Sequence, residues 1–321
     1  MKKSLLWLSS LCLLFSATLF VSCDDDNDDA TELSLNIVEF ATSNPNYSLL
    51  AEAVVKAELD DALSGNGPFT LFAPTNDVFQ TFLDGAGTNT VENTPKEILV
   101  QVLTNHVIAG EFKASDLSTR YYTTLSATEF GDEANTSIFI NTDGGVSING
   151  TVGVAQADVE VSNGVIHVID EVIAPPTVVT FALADPNFSS LVTALTANGL
   201  TTNFVSVLSG NGPFTVFAPN NEAFEALLNS NDSWSVVADI PVEVLESVLL
   251  YHVTNAGNVR STQLSDGQQV TTLSNSATFS IDLTAGPNPM IMAGSNTAEI
   301  IATDVQATNG VIHAINAVIL P

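Results

Sequence analysis

Residues Leu63–Pro74 read LSGNGPFTLFAP and residues Leu208–Pro219 read LSGNGPFTVFAP, so the two stretches differ at one position. Such near-identity about 145 residues apart indicates that one folding unit occurs twice. Gly-Asn-Gly-Pro is typical of a turn, because glycine reaches positive φ and proline fixes its own φ. The apolar residues that follow predict a short strand, and the polar residues after Ala-Pro predict the cap of a helix that carries Phe79 or Phe224.

A second repeat ends each unit. Residues Ser162–Asp170 and Thr308–Asn316 share Asn-Gly-Val-Ile-His, in which Asn-Gly predicts a tight turn and the apolar run a buried closing strand. Between the two repeats, Pro95–Leu103 and Pro241–Leu249 have helical spacing with proline in the first turn. Both copies therefore predict helices around a central strand, followed by further strands.

This mixture of helical and alternating segments predicts an α+β fold for each unit. We expect a first domain over residues 33–174 and a second domain over residues 177–321. Pro175-Pro176 marks the join, and such a short, stiff linker limits the orientations of the two domains.

The N-terminus has a pattern of its own. Two lysines precede an apolar run that is too short for a membrane-spanning helix and is typical of an export signal, so we expect a signal peptide over residues 1–22. The run ends in Val-Ser-Cys23, which resembles the lipobox of bacterial lipoproteins and predicts lipidation of Cys23. An ordinary secretory signal with an incidental cysteine is the alternative.

Residues 23–32 include Asp24-Asp25-Asp26-Asn27-Asp28-Asp29, a block of like charge that predicts an extended, solvated tether. A simple spacer is one interpretation. An acidic run directly after the lipidated cysteine also resembles the signal with which Bacteroidota place lipoproteins on the outer face of the outer membrane. We therefore expect a lipid-anchored protein of the outer membrane that is exposed at the cell surface, with the periplasmic face as the alternative.

The composition limits the classes of partner. The chain has 36 Asp and Glu residues, seven Lys and Arg residues and a formal net charge of −29. Phosphate neutralisation needs clustered basic residues, and those of this chain are scattered, so nucleic acid and anionic lipid are not predicted partners. No Asp-rich loop with the glycine and distal glutamate of a calcium site occurs, so neither a metal nor a cofactor is predicted.

Three motifs occur in one order in both copies: Gly-Pro-Phe-Thr-(Leu/Val)-Phe-Ala-Pro-x-Asn, then x-x-His-Val, then Asn-Gly-Val-Ile-His-x-Ile. Together they resemble the fasciclin (FAS1) domain, and the resemblance covers nearly all of the chain after the tether. It implies a wedge-shaped β-sandwich with helices packed along one edge, twice in tandem. It also implies a role in adhesion or in the extracellular matrix.

The resemblance supplies candidate partner-binding residues. In animal fasciclin-domain adhesins, integrin recognition is assigned to a Tyr-His pair and to an Asp-Ile pair just before the Asn-Gly turn. An aspartate that caps a turn between strands is the structural alternative for the second pair. In the first copy, Asn105 replaces the tyrosine. The candidates at these two positions are Tyr251, His252, Asp158, Val159, Asp304 and Val305.

The four histidines of the chain occupy equivalent places in the two copies, and they are His106, His167, His252 and His313. Catalysis would need a nucleophile and an orienting acid, and a metal site would need three or four ligands, but no such pattern accompanies them. We expect structural histidines that bond to the backbone or to each other and fix a helix against the sheet. A pH-dependent change in adhesion is the alternative.

Two classes of function remain open. The first is a lipid-anchored, non-enzymatic adhesion protein that binds an extracellular protein or polysaccharide and meets the membrane through its lipid alone. The second is a hydrolase, or a small-ligand- or glycan-binding protein, with a polar cleft. The residues around the histidines are apolar, which favours the first class.

Overall fold

The computed structural model describes residues 35–130, 134–274 and 277–321. The predicted signal peptide, the lipidation site Cys23 and the acidic tether lie outside the described residues. The described part contains two tandem domains that each combine helices and strands, so the predicted α+β fold is confirmed. From Leu33 to Pro321 the two domains form a single compact unit.

The first domain begins with helices and ends with strands. Its described α-helices are α1 (Ile37–Ser43), α2 (Ser48–Lys56), α3 (Asp60–Leu63), α4 (Asn76–Gly85) and α5 (Lys96–Asn105). Its described strands are β1 (Phe69–Pro74), β2 (Val107–Ala109), β3 (Arg120–Ala127), β4 (Asn135–Asn141), β5 (Ser147–Ile148), β6 (Val152–Val161) and β7 (Gly164–Ile169).

The second domain repeats this order. Its described α-helices are α6 (Val178–Ala184), α7 (Ser189–Leu195), α8 (Phe204–Leu208), α9 (Asn221–Asn229) and α10 (Val242–Tyr251). Its described strands are β8 (Phe214–Pro219), β9 (Val253–Thr254), β10 (Gln269–Thr271), β11 (Thr278–Asp282), β12 (Met290–Met292), β13 (Thr297–Ala307) and β14 (Gly310–Ile315). Short 3-10 turns lie at Pro45–Tyr47, Pro186–Phe188, Val237–Asp239 and Ser261–Gln263.

A capping box fixes the start of each domain. Asn36 accepts the backbone N–H of Glu39 at 3.0 Å, and the Glu39 carboxylate accepts the backbone N–H of Asn36 at 2.9 Å. Thr177 and Thr180 form the equivalent arrangement at the start of α6. Because the first N–H groups of a helix lack intrahelical partners, these bonds define where each helix begins.

The two strongest repeats of the sequence form neighbouring strands. β1 pairs in parallel with β7, from Phe69 opposite Gly164 to Pro74 opposite Ile169, and β8 pairs with β14 in the same way. Every residue of β7 and β14 is buried, so the predicted buried closing strand is confirmed. A Cβ at Gly164 would lie 1.9 Å from the Phe69 carbonyl oxygen, so this approach requires glycine.

The strands of the first domain hydrogen-bond in chain order from β1 to β7, and β7 pairs with β1 to close the ring. In the second domain the order is β10-β11-β12-β13-β14-β8-β9. Along β7, Ile166 and Val168 face a core shared with the helices, whereas Ile169 belongs to a core between strands. Since both faces of the closing strand are covered, apolar residues occupy both alternating positions.

The asparagine of each Asn-Gly turn ties three segments together. Asn163 Oδ1 accepts the backbone N–H of Ile37 at 3.0 Å. Its Nδ2 donates to the carbonyl oxygens of Leu63 at 2.8 Å and Gly65 at 2.9 Å. In the second domain, Asn309 makes the equivalent bonds to Val178, Leu208 and Gly210. The opening helix, the Gly-Asn-Gly-Pro turn and the closing strand are thus fixed to one buried side chain.

The two domains contact each other through β3 and β4. Phe139 of β4 packs into the helix-side core of the second domain and is 2% exposed. Tyr121 of β3 meets Phe181 edge to face, and its hydroxyl donates to Asp185 Oδ2 at 2.9 Å. Burial and the neighbouring Asp185 raise the pKa of Tyr121. The contact therefore combines apolar packing with a partly buried hydrogen bond.

The join itself packs against the second domain. Pro176 is buried, and its carbonyl oxygen accepts hydrogen bonds from the backbone N–H and the hydroxyl of Thr308, both at 2.8 Å. Nearby, the backbone N–H of Gln306 donates to Ser137 Oγ at 3.1 Å. These bonds limit the movement of one domain relative to the other.

Candidate functional site

The Asp-Val candidates lie where β6 and β13 are irregular. Asp158 and Asp304 both have a φ of 61°, in the left-handed region that residues other than glycine seldom adopt. Oδ1 of each accepts a backbone N–H from a loop of its domain at 2.7 Å, from Ala114 and from Ser261 respectively. These bonds support the structural interpretation, in which each aspartate caps a turn.

The Asp-Val residues differ in exposure. The Asp158 side chain is 42% exposed, and Asp304 is half-buried. Val159 is half-buried against the helix-side core, and Val305 is 6% exposed within the core of the second domain. Partner binding at these residues stays a prediction, for which Asp158 is the most accessible of the four and Val305 the least.

The Tyr-His candidates are buried. Tyr251 is 1% exposed and its hydroxyl donates to the carbonyl oxygen of Thr278 at 2.8 Å, while His252 is 3% exposed. Partner binding at this pair stays a prediction, and it would require the exposure of two side chains that are buried here. In the first domain the same position holds Asn105, which is also buried and accepts a hydrogen bond from Thr136 Oγ1 at 3.1 Å.

The histidines at the ends of α5 and α10 bond to the backbone through both ring nitrogens. His106 Nδ1 donates to the carbonyl oxygen of Val102 at 2.7 Å, and Nε2 accepts the N–H of Ile173 at 3.0 Å. His252 makes the equivalent bonds with Val248 and Ile319. Burial lowers the pKa of His106 and of His252 to about 4, against the opposing effect of the bond from Nδ1. Each ring joins a helix end to the segment after the closing strand.

The histidines of the closing strands use the opposite nitrogens. His167 Nε2 donates to the carbonyl oxygen of Phe112 at 2.8 Å, and Nδ1 accepts the N–H of Asp158 at 3.3 Å. In the second domain His313 makes the equivalent bonds, with Val259 and Asp304. Burial lowers the pKa of His313. All four histidines are thus buried with both nitrogens occupied by backbone groups, which supports their structural interpretation.

The described residues can be searched for clusters of metal ligands and for membrane-spanning helices. Within residues 35–130, 134–274 and 277–321, no group of three or more His, Cys, Asp or Glu side chains is placed to hold a metal ion. The same residues include no single helix that is long and apolar enough to cross a membrane. A bent pair, Val178–Ala184 with Pro186–Leu195 at 97°, meets that test by length and composition alone.

Three grooves of about 360, 550 and 350 Å³ in the described part of the chain have no histidine in their lining. An open groove of about 360 Å³ beside α4 carries the carboxylates of Asp77, Asp170 and Glu171 on an otherwise mainly apolar lining. His252 lines a cavity of about 30 Å³ whose other lining residues are apolar. Neither space combines a histidine with a nucleophile and an acid.

One cation occupies the same place in the two loops that the aspartates cap. Lys113 follows Phe112, whose carbonyl oxygen is bound by a closing-strand histidine, and Arg260 follows Val259, which is bound in the same way. Neither cation stands out in the sequence, because each is a lone basic residue in a polar stretch. Alignment of the two copies is the signal that could have found them.

The surroundings of these two cations differ. Lys113 forms an ion pair with Glu160, and both side chains are partly exposed. The second domain has Gln306 at the place of Glu160, and this amide is 2% exposed and donates to the carbonyl oxygens of Ala307 and Gly310. The first domain therefore neutralises its cation internally, whereas the second domain has a neutral amide that is turned to its own backbone.

Comparison with known proteins agrees with this architecture. A family model described as the fasciclin domain matches residues 45–175 and again residues 186–321. Protein sll1483 of Synechocystis sp. is 43% identical over 147 residues, which cover 46% of this chain and 77% of that protein. Transforming growth factor-beta-induced protein ig-h3 of Sus scrofa is 28% identical over 271 residues, which cover 82% of this chain and 36% of that protein.

A solved structure has the same fold. It is that of a FAS1 domain pair from the insect cell adhesion molecule Fasciclin I, and it superposes with a TM-score of 0.51 at 20% sequence identity. The match covers 87% of this chain and 98% of that one. The pairing of two such domains in one chain is therefore shared.

Proposed function

Because the chain belongs to the fasciclin domain family, we propose that it is a cell-surface adhesion protein that binds an extracellular protein or polysaccharide. Fasciclin domains occur in adhesion proteins and in other proteins of extracellular interactions. One observation carries the proposal. The histidines that both copies share are buried and bonded to the backbone, so these side chains stabilise the fold. Within the described residues no specific observation favours the hydrolase or small-ligand alternative.

Membrane anchoring through Cys23 completes the proposal. It is supported by the lipobox-like sequence and by the acidic tether that follows, which together fit a lipoprotein on the outer face of the outer membrane. Since one acyl chain binds a membrane only marginally, the several chains of a bacterial lipoprotein would hold the protein stably. The two domains would then face the surroundings of the cell.

Anchoring is tested by fractionation of cells that express the Cys23→Ala variant. We expect this variant in the soluble fraction and the wild type in the membrane fraction. Cys12→Ala is the matched control, because Cys12 lies inside the predicted signal peptide and its loss should leave the protein in the membrane. A membrane-bound Cys23→Ala protein would refute the lipid anchor, and protection of the wild type from protease on intact cells would refute surface exposure.

Adhesion is tested with arrays of immobilised extracellular proteins and polysaccharides. The purified protein should bind a subset of them, and cells that express it should attach to the same subset. Failure to bind any of them, together with hydrolysis of one of the polysaccharides, would overturn the proposal in favour of an enzyme.

A further inference from the structure

Arg260 has no counterion among the described residues of its own domain. It is the only Lys or Arg between residues 177 and 321. Its Nε is buried and has no hydrogen-bond partner, and none of the ion pairs in the described part of the chain includes it. A buried guanidinium N–H without an acceptor costs free energy, so its retention calls for a reason other than fold stability.

The aspartate that caps the loop of Arg260 is already engaged in hydrogen bonds. Asp304 accepts the backbone N–H of Ser261 through Oδ1 at 2.7 Å, and its Oδ2 accepts the Ser261 hydroxyl. In the first domain, Glu160 neutralises the equivalent Lys113, but the second domain has Gln306 there. The duplication thus contains one copy of this site with an ion-paired cation and one copy in which the cation forms no ion pair with any described residue.

We propose that Arg260 is the contact point for a single carboxylate on a basic surface of a partner protein, an inference that rests on the proposed adhesion function for its class of partner. Because Nε is buried, the contact would use the two terminal nitrogens of the guanidinium group, which match the two oxygens of a carboxylate. A chain of net charge −29 repels polyanions but attracts a basic protein surface. An isolated carboxylate on such a surface fits the guanidinium group and also belongs to a partner that the net charge attracts. A polyuronate supplies the carboxylate, but the net charge repels it.

The site is tested directly by NMR of the purified protein labelled with ¹⁵N-arginine. Without the signal peptide the chain has two arginines, Arg120 and Arg260, so two Nε–H signals are expected. Arg120 lies over the ring of Tyr122, 4.3 Å from its centroid, and serves as the internal reference. Sodium acetate replaces sodium chloride stepwise at constant ionic strength. The Arg260 signal should shift along a saturable binding curve. Equal, unsaturated shifts of both signals would overturn the site.

The class of partner is tested with three probes: capped Lys-Lys-Glu-Lys-Lys, capped Lys-Lys-Gln-Lys-Lys and trigalacturonate. The wild type should bind the Glu peptide about fivefold more tightly than the Gln peptide, as expected for a charge-assisted bond at a partly exposed site. Arg260→Gln should abolish this preference, and Arg260→Lys should retain part of it. If the wild type shows no preference for the Glu peptide, the proposal is wrong. If trigalacturonate binds as tightly as the Glu peptide, the inference that the partner is a protein is wrong.

A variant of the first domain provides a gain-of-function test. Glu160→Gln should remove the ion pair of Lys113 and add a second preference for the Glu peptide, since it places a neutral amide where the second domain has Gln306. This preference should be the weaker one, because Glu111 and Asp158 still lie near Lys113. If this preference does not appear, the role given to the lost counterion is wrong. Failure of adhesion on arrays, with a saturable Arg260 signal, would reject the adhesion function and leave the carboxylate site in place. Adhesion on the arrays without a saturable Arg260 signal would reject the carboxylate site alone.

Discussion

The buried histidines predict how stability depends on pH, and His106 allows the magnitude to be worked out. Its pKa is about 4 in the folded domain and about 6.5 in an unfolded chain. Below pH 6.5 the unfolded state therefore binds more protons than the folded state, so the free energy of unfolding falls as the pH falls. The loss is complete below about pH 4. At pH 5 it amounts to about 2 kcal/mol, because one pKa unit corresponds to about 1.4 kcal/mol.

The assay is urea unfolding of the wild type and of His106→Gln at pH 7.5 and pH 5. The glutamine does not titrate, whereas the effects of the many carboxylates are common to both proteins and cancel in the difference. The stability advantage of the wild type over the variant should therefore shrink by about 2 kcal/mol between the two pH values.

Val102→Ala is the matched control, because it destabilises the same helix without removing a titrating group. Its difference from the wild type should be independent of pH. His252→Gln should reproduce the His106 result in the second domain, since burial lowers both pKa values to about 4. An advantage of the wild type over His106→Gln that does not change with pH, or a His106 ring signal that titrates near pH 6.5 in the folded protein, would refute the reasoning.

Three further predictions concern single side chains. Asn309→Ala removes hydrogen bonds from three backbone groups, two of them buried, and should lower the free energy of unfolding by about 2–4 kcal/mol in urea titrations. Hydrogen bonds from Thr201 and its neighbour lower the pKa of Glu246 to about 2, so their stabilisation is present above pH 4.5 and is lost as the pH falls through about 2. Glu246→Gln should accordingly reduce the hydrogen-exchange protection of the Thr201 amide at pH 6. Tyr121→Phe removes the donor to Asp185 across the domain contact and should cost about 1–2 kcal/mol, measured by calorimetry.

Much of the fold follows from local patterns. The central strand, the helix after it and the closing strand lie where the sequence predicts them, because a turn motif, a cap and an apolar run each act over a few residues. The duplication strengthened these predictions, since every signal appeared twice. The sequence did not indicate that the two repeats pair in parallel, as residues almost 100 positions apart meet there.

The sequence predicts less where burial depends on distant contacts. Tyr251 lies at the end of a helix, and its burial results from packing against Phe279 and from a hydrogen bond to Thr278, both on a strand that follows in the chain. Strand β3 was not anticipated, because its polar residues alternate weakly and its Tyr121 faces the other domain. Contacts between domains leave no local pattern in a sequence.

Comparison of the two copies distinguishes residues that stabilise the fold from residues that are available to a partner. The polar groups that they share, namely the histidines, the turn asparagines and the aspartates at φ 61°, all bond to backbone groups of their own domain. A polar group whose hydrogen bonds are made within its own domain has few donors or acceptors available for a partner. Recognition should therefore depend on positions at which the copies differ. At one such position Lys113 with Glu160 in the first domain corresponds to Arg260 with Gln306 in the second domain, and Arg260 forms no ion pair with any described residue.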